Sequence, residues 1–290
     1  MISRISAIIC ICCMAIGMVL GAGCVSPPLT GITTREFRGT YNVSPGTLLD
    51  VHNLNGNVEI TTGTEDVAQV NATLSTLYGT PELDRVQIRV TTDDILHLET
   101  IHPIPPARVS VDYQITIPRG VSVRTIESSN GGITIRDAGG TASLATSNGP
   151  ITVDTFRGDI TARTSNGRVE LHGIEGIVSA STSNAEIILQ NVSTITFAET
   201  SNGRITADIL SVDRDVSLLT SNARVLVQLV PNLNADLSLS TSNGQVLLTN
   251  VPVSAQESSR TELRGILGSG GHTIAVVTSN ADIEVQMLPV

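Results

Sequence analysis

The stretch Thr164-Ser165-Asn166-Gly167 (TSNG) decides the reading of this chain, because it recurs. The same four residues stand at Thr146–Gly149, Thr200–Gly203 and Thr241–Gly244. Thr-Ser-Asn-Ala stands at Thr182–Ala185, Thr220–Ala223 and Thr278–Ala281, and Ser-Ser-Asn-Gly at Ser128–Gly131. The central asparagines are Asn130, Asn148, Asn166, Asn184, Asn202, Asn222, Asn243 and Asn280, spaced by 18 four times and then by 20, 21 and 37. Self-similarity at a fixed period marks a repeat architecture. Eighteen residues are too few for a helical hairpin and suit one coil of a β-solenoid.

Aligning the units on the asparagine tests this. The third residue after it is Ile133, Ile151, Val169, Ile187, Ile205, Val225, Val246 or Ile283. The fifth is Ile135, Val153, Leu171, Leu189, Ala207, Val227, Leu248 or Val285. That alternation is a strand with one buried face. A second alternation follows at Ala142 and Leu144, Ile160 and Ala162, and Val178 and Ala180, with Gly140, Gly158 and Gly176 between the strands. The fold class is therefore all-β: a single-domain β-solenoid, parallel β-helix-like, with about 18 residues per coil and an N-terminal β cap region. Coils stack at about 4.8 Å. Identical residues then lie above one another, so the asparagines are expected to form an internal ladder, each amide bonded to the next. An inward asparagine touches no ligand, which makes the tag scaffolding. The Asn is expected at a left-handed corner. Arg168, Glu186 and Arg204 alternate in sign on successive coils and are expected to pair.

Four segments are expected. Residues 1–23 read as a lipoprotein signal peptide: Arg4, then an apolar run from Ile5 to Leu20, then LGAGC ending at Cys24, the lipidation candidate. An uncleaved membrane anchor is the alternative, since Ile5–Cys24 is just long enough to span a bilayer. Residues 24–45 read as a tether, 46–127 as an N-terminal β region capping the solenoid, and 128–290 as the repeat β-solenoid. NGNVEI at Asn55–Ile60 looks like an early copy of the strand after the tag, and Val109–Pro118 alternates as a half-buried strand. Pro252–His272, with GILGSGG, reads as a flexible turn before the last rung.

Composition narrows the function. All four cysteines (Cys10, Cys12, Cys13, Cys24) fall in the leader, so the exported part has no disulfide and no thiol ligand. All 17 basic residues are Arg against 27 acids, a net charge of −10. Lysine chemistry is excluded, and nucleic acid is a poor partner for such a surface. Aromatics make up only 2%, so the core must be Ile, Val, Leu and Ala.

The run VDYQITIPRGVSVRTIESSNGGITI (Val111–Ile135), followed by the 18-residue tags, resembles a widespread family of exported proteins of unknown function, described as adhesin candidates with a β-helix-like repeat and related to autotransporter adhesin head domains. GSGGHTIAVVTSNADIEV (Gly268–Val285) resembles the family's last repeat. The likeness runs from about residue 46 to the C-terminus. It implies a surface or envelope role in adhesion or stress sensing, and it carries over no catalytic residue.

Two classes of function follow. One is a lipid-anchored, non-enzymatic, adhesin-like binding or envelope-sensing module, with the membrane, an envelope polymer or a cell-surface macromolecule as partner. The other is a polysaccharide-acting enzyme on a β-helix, which needs clustered carboxylates. The outward column Arg136, Asp154, His172, Gln190, Asp208 mixes signs and offers no evident pair. The other histidines (His52, His97, His102, His272) are scattered along the chain, so no cofactor or metal set is expected. Positions nine and fifteen after the Asn, such as Arg157 and Arg163, exclude the triangular coil of hexapeptide acyltransferases. Sequons for N-glycosylation stand at Asn42, Asn71 and Asn191.

Overall fold

The computed structural model describes residues 31–104 and 108–288. The chain opens with β1 (Thr33–Asn42), β2 (Leu48–His52), β3 (Val58–Thr62) and β4 (Val67–Thr76). One short helix, α1 (Thr80–Arg85), precedes β5 (Gln87–Thr92), β6 (Ile95–Ile101), β7 (Ser110–Ile117) and β8 (Ser122–Glu127). The tagged repeats hold β9 (Ile133–Ala145), β10 (Ile151–Arg157), β11 (Ile160–Arg163), β12 (Val169–Ser181), β13 (Ile187–Thr200), β14 (Ile205–Ile209), β15 (Val216–Thr220), β16 (Val225–Leu229), β17 (Ala235–Thr241) and β18 (Val246–Thr249). After β19 (Val253–Ser258) and β20 (Glu262–Leu267), β21 (Thr273–Thr278) and β22 (Ile283–Met287) close the fold.

The result is a parallel β-solenoid. Strand-forming Ile and Val recur at every second position, and the ladder register keeps them in line. Tyr113, Val58, Ile133, Ile151, Val169, Ile187, Ile205, Val225, Ile283 and Val246 follow one another as direct ladder neighbours down one column. The core is aliphatic as the composition requires, with Tyr113 and Phe156 as its largest fully buried side chains. Burial pushes the Tyr113 phenol up to about 12, and its hydroxyl is satisfied by Thr100 Oγ1 at 2.7 Å.

The coils do not stack in chain order at the ends. The coil β2/β3, first in sequence, lies between β6/β7 on one side and β8/β9 on the other, all parallel. The coil β21/β22, last in sequence, lies between β15/β16 and β17/β18. Each end then carries strands of opposite sense, although among the described strands β18 pairs only with β22. At the N-terminal end β5 covers β6, β4 covers β7, and β1 covers β4. At the other end β20 covers β17 and β19 covers β20. Reversed strands halt the addition of further parallel coils, which is how an exposed sheet edge is made safe.

Three expected boundaries change. The tether of 24–45 contains β1, a full strand. Its half-buried face is Thr33, Arg35, Phe37, Gly39 and Tyr41, with only two apolar side chains in five, so no alternation announces it. The cap region of 46–127 supplies coils of its own, and β8 runs directly into the Ser128 tag, so residue 127 is no boundary. The segment 252–272 is the β19–β20 hairpin that caps β17, and the rung of Asn280 is internal to the stack.

Candidate functional site

The tag builds one corner of each coil from three parallel columns. Innermost is the Thr, or Ser128, which is 1–8% exposed at all eight tags. Its hydroxyl donates to the main-chain carbonyl of the neighbouring coil: Thr146 to Gly131 at 2.9 Å, Thr164 to Gly149 at 3.1 Å, Thr182 to Gly167 at 3.0 Å and Thr200 to Ala185 at 3.1 Å. Next is the Ser carbonyl, which accepts two main-chain N–H groups from the following coil, as Ser147 does from Ser165 and Asn166. Outermost is the Asn. Asn148 donates to Asn130 Oδ1 at 2.7 Å, and Asn166, Asn184, Asn202 and Asn222 continue the column at 2.7–2.8 Å. It then passes to Asn280 and ends at Asn243, each step 2.8 Å, while Asn130 begins it by donating to Asn55 Oδ1 at 2.5 Å.

The asparagines thus align but are exposed, not internal. The buried position goes to the Thr hydroxyl, which needs only one donor and one acceptor bond, whereas a buried amide needs up to four. The turn also differs from the expected left-handed corner, since no tag Asn has positive φ. Glycine is required by crowding: a Cβ on Gly167 would lie 1.7 Å from the Gly149 carbonyl oxygen, and one on Gly203 would lie 1.6 Å from that of Ala185. In the Gly tags the Gly N–H closes the turn onto the Thr or Ser hydroxyl at 3.1–3.4 Å. Among the described residues, the three Ala tags lack that bond.

Exposure changes what the column offers. A ladder bond uses one N–H and one lone pair of each amide. At Asn184 and Asn222 the second N–H also reaches a main-chain carbonyl, of Ser165 at 3.4 Å and Ser201 at 3.3 Å. What these exposed amides offer is therefore chiefly the second lone pair of Oδ1, in a row set by the interstrand spacing of about 4.8 Å. The exclusion of ligand contact therefore no longer holds.

On the outward faces, Arg168 and Arg204 both pair with Glu186, at 3.2 and 3.8 Å. The mixed column does form a pair, His172 Nδ1 with Asp154 Oδ1 at 3.0 Å, because an 18-residue offset makes them ladder neighbours. Asp208 is buried with Oδ1 unbonded. Burial pushes its carboxyl above the ordinary range, against the Asn191 main-chain N–H and the nearby His172, which both lower it. His272 lies 3.4 Å from Asp215, whose carboxyl the Thr273 N–H holds below its usual range. His102 has a buried, unbonded Nε2, and burial lowers its imidazole.

His52 and His97 are not scattered. Parallel pairing of β2 with β6 sets their rings 5.1 Å apart, centroid to centroid. His52 Nδ1 lies 2.9 Å from Glu127 Oε2, and the buried Asp50 beside them is bonded by both Arg124 Nε and Nη2. No single motif signals this cluster; only the out-of-order position of the β2/β3 coil assembles it.

The sequon residues Asn42, Asn71 and Asn191 are all exposed. Cys24 and the signal segment lie outside the described residues. Within the described residues, no helix is long and apolar enough to cross a membrane. A concavity of about 430 Å³ beside β17 and β20 is lined by Asp236, Ser238, Gln256, Arg264 and Thr273, with Asp236 its one acid.

Stacked coils of two short parallel strands with a corner of shared polar ladders define an all-β solenoid protein. The chain belongs to the Toastrack DUF4097 family, whose profile matches residues 49–286. Among solved structures, an adhesin candidate from Bacteroides fragilis NCTC 9343 is 13% identical, over 90% of this chain and 99% of that one, with a TM-score of 0.42. A candidate from Parabacteroides distasonis ATCC 8503 is 9% identical, over 89% and 98%, with a TM-score of 0.35. A cell-adhesion candidate from Clostridium sporogenes ATCC 15579 is 10% identical, over 88% and 100%, with a TM-score of 0.26. No curated protein matches the chain.

Proposed function

We propose that this protein is a lipid-anchored, non-enzymatic surface module that binds an envelope polymer or another cell-surface macromolecule through the amide edge of its solenoid. The exposed asparagine column carries the reading. It is a row of exposed amides whose Oδ1 atoms each keep a lone pair beyond the ladder bond, held by a scaffold that orients them before any ligand arrives. Sugar hydroxyls, which both donate and accept, are the complementary chemistry. The export signal and Cys24 support placement at the membrane surface. The enzyme reading is weaker, since glycoside hydrolysis uses two facing carboxylates and the concavity offers Asp236 alone.

Two measurements test this. Replacing Cys24 by Ser is expected to move the protein from the membrane fraction to the soluble one; unchanged fractionation would remove the lipid anchor. Purified full-length protein is expected to be retained on isolated envelope polysaccharide. The triple variant Asn148→Ala, Asn166→Ala, Asn184→Ala, with its fold verified by melting, is expected to be retained less. Equal retention would sink the amide edge, and no retention of the wild type would sink the binding role. Release of reducing sugar would favour the enzyme instead.

A further inference from the structure

We propose that His52, His97 and Asp50, with Glu127 behind His52, form a binding site for a divalent transition-metal cation of the zinc class. The site lies on the outward face of three adjacent parallel strands. The β2–β6 register sets Asp50 opposite His97, and the β2–β8 register sets His52 opposite Glu127. One ligand atom from each of Asp50, His52 and His97 lies within 4.8 Å of the other two. Tetrahedral zinc with nitrogen and oxygen ligands at about 2.0–2.2 Å places its donors roughly 3.3 Å apart. Closing that gap calls for rotation of the two half-buried imidazoles of His52 and His97.

The groups behind the ligands are arranged as metal sites require. An ionised carboxylate only accepts hydrogen bonds, so the contact of His52 Nδ1 with Glu127 Oε2 at 2.9 Å places the proton on Nδ1. The lone pair is then on Nε2, the tautomer that a carboxylate fixes in histidine–metal sites. Asp50 is 5% exposed and is oriented by Arg124. The Arg fork uses only part of its lone-pair capacity. Around the imidazoles, Asp50, Glu99 and Glu127 face Arg89 and Arg124, three negative charges against two positive, which does not repel a cation. Two imidazoles and one carboxylate without a thiolate suit zinc, nickel or copper(II), and offer too few oxygens for calcium. Three protein ligands leave one position open to water or to an oxygen donor of a partner.

The ligands come from two coils, β2/β3 and β6/β7, so the metal would also fasten the first coil to its outer neighbour. The test titrates zinc chloride into the purified full-length protein after removal of metals by chelation. One zinc per chain is expected, with a melting temperature that rises with zinc concentration. His52→Gln and His97→Asn are each expected to weaken binding at least tenfold, and Glu127→Gln about tenfold. His272→Ala, whose Asp215 pair lies toward the opposite end, is expected to bind as the wild type does. Absence of saturable zinc uptake by the wild type would overturn the proposal, as would unchanged affinity in both histidine variants. Should those variants lose their cooperative melt, cobalt(II) added to the wild type decides: visible d–d bands shifted from and much more intense than those of aqueous cobalt(II) support ligation at the site, and a spectrum identical to aqueous cobalt(II) overturns it.

Discussion

The Thr column and the Asn column come from the same four-residue tag, repeat with the same coils and are both hydrogen-bonded from rung to rung. They differ in their surroundings. The Thr hydroxyls are 1–8% exposed and satisfy main-chain groups that water does not reach. The Asn amides are exposed and exchange their ladder bonds with water at little net cost. A ladder therefore stabilises the coil in proportion to what is left unsatisfied when it is broken, and the shorter side chain supports more of the fold than the longer one.

Thr164→Val breaks the comparison most severely. It keeps shape but orphans the Gly149 carbonyl and the Gly167 N–H, and is expected to cost about 1–3 kcal/mol in a denaturant melt. A cost indistinguishable from zero would show that water reaches the corner. Asp208 sharpens the comparison, because it is buried like the Thr but with one oxygen unbonded. Its folded pKa is raised, so the native state holds its proton more tightly than the unfolded chain does. Its destabilising effect is present at neutral pH and fades as pH falls through the raised value toward the ordinary carboxylate range. Asp208→Asn is expected to raise the melting temperature at pH 7, with the gap closing as pH falls. A gap independent of pH would refute this sign. Smallest is Asn166→Ala, expected to cost under about 1 kcal/mol. A loss equal to that of Thr164→Val would erase the distinction between the columns.

Much of this fold was legible because eight tags announce it. Strict alternation at Ile133 and Ile135, and at their equivalents in every coil, determines the buried face, and repetition of the same unit sets the strands parallel. The same periodicity aligns the asparagines but does not say which side of the wall they occupy, since alternation stops at a turn. Crowding against the preceding carbonyl, which makes Gly149 and Gly167 necessary, is a contact between coils that no single coil displays. β1 was illegible because Phe37 and Tyr41 are its only apolar inward side chains. His52 and His97 looked unrelated because they become neighbours only when a later coil settles outside an earlier one.

That displaced order constrains how the molecule is made. A chain emerging N-terminus first presents Asn55 long before its partner Asn130, 75 residues later, and Asn243 before Asn280, 37 residues later. At the N-terminal end β6/β7 and then β8/β9 can settle on the two open edges of β2/β3 as they appear, whereas the other end must keep a place between β15/β16 and β17/β18 for β21/β22. Loop closure over such separations is slow. Closure of that end is therefore expected to wait for β21 and β22, and a product truncated before Thr273 is expected to leave β17 and β18 without the coil that joins them to the rest.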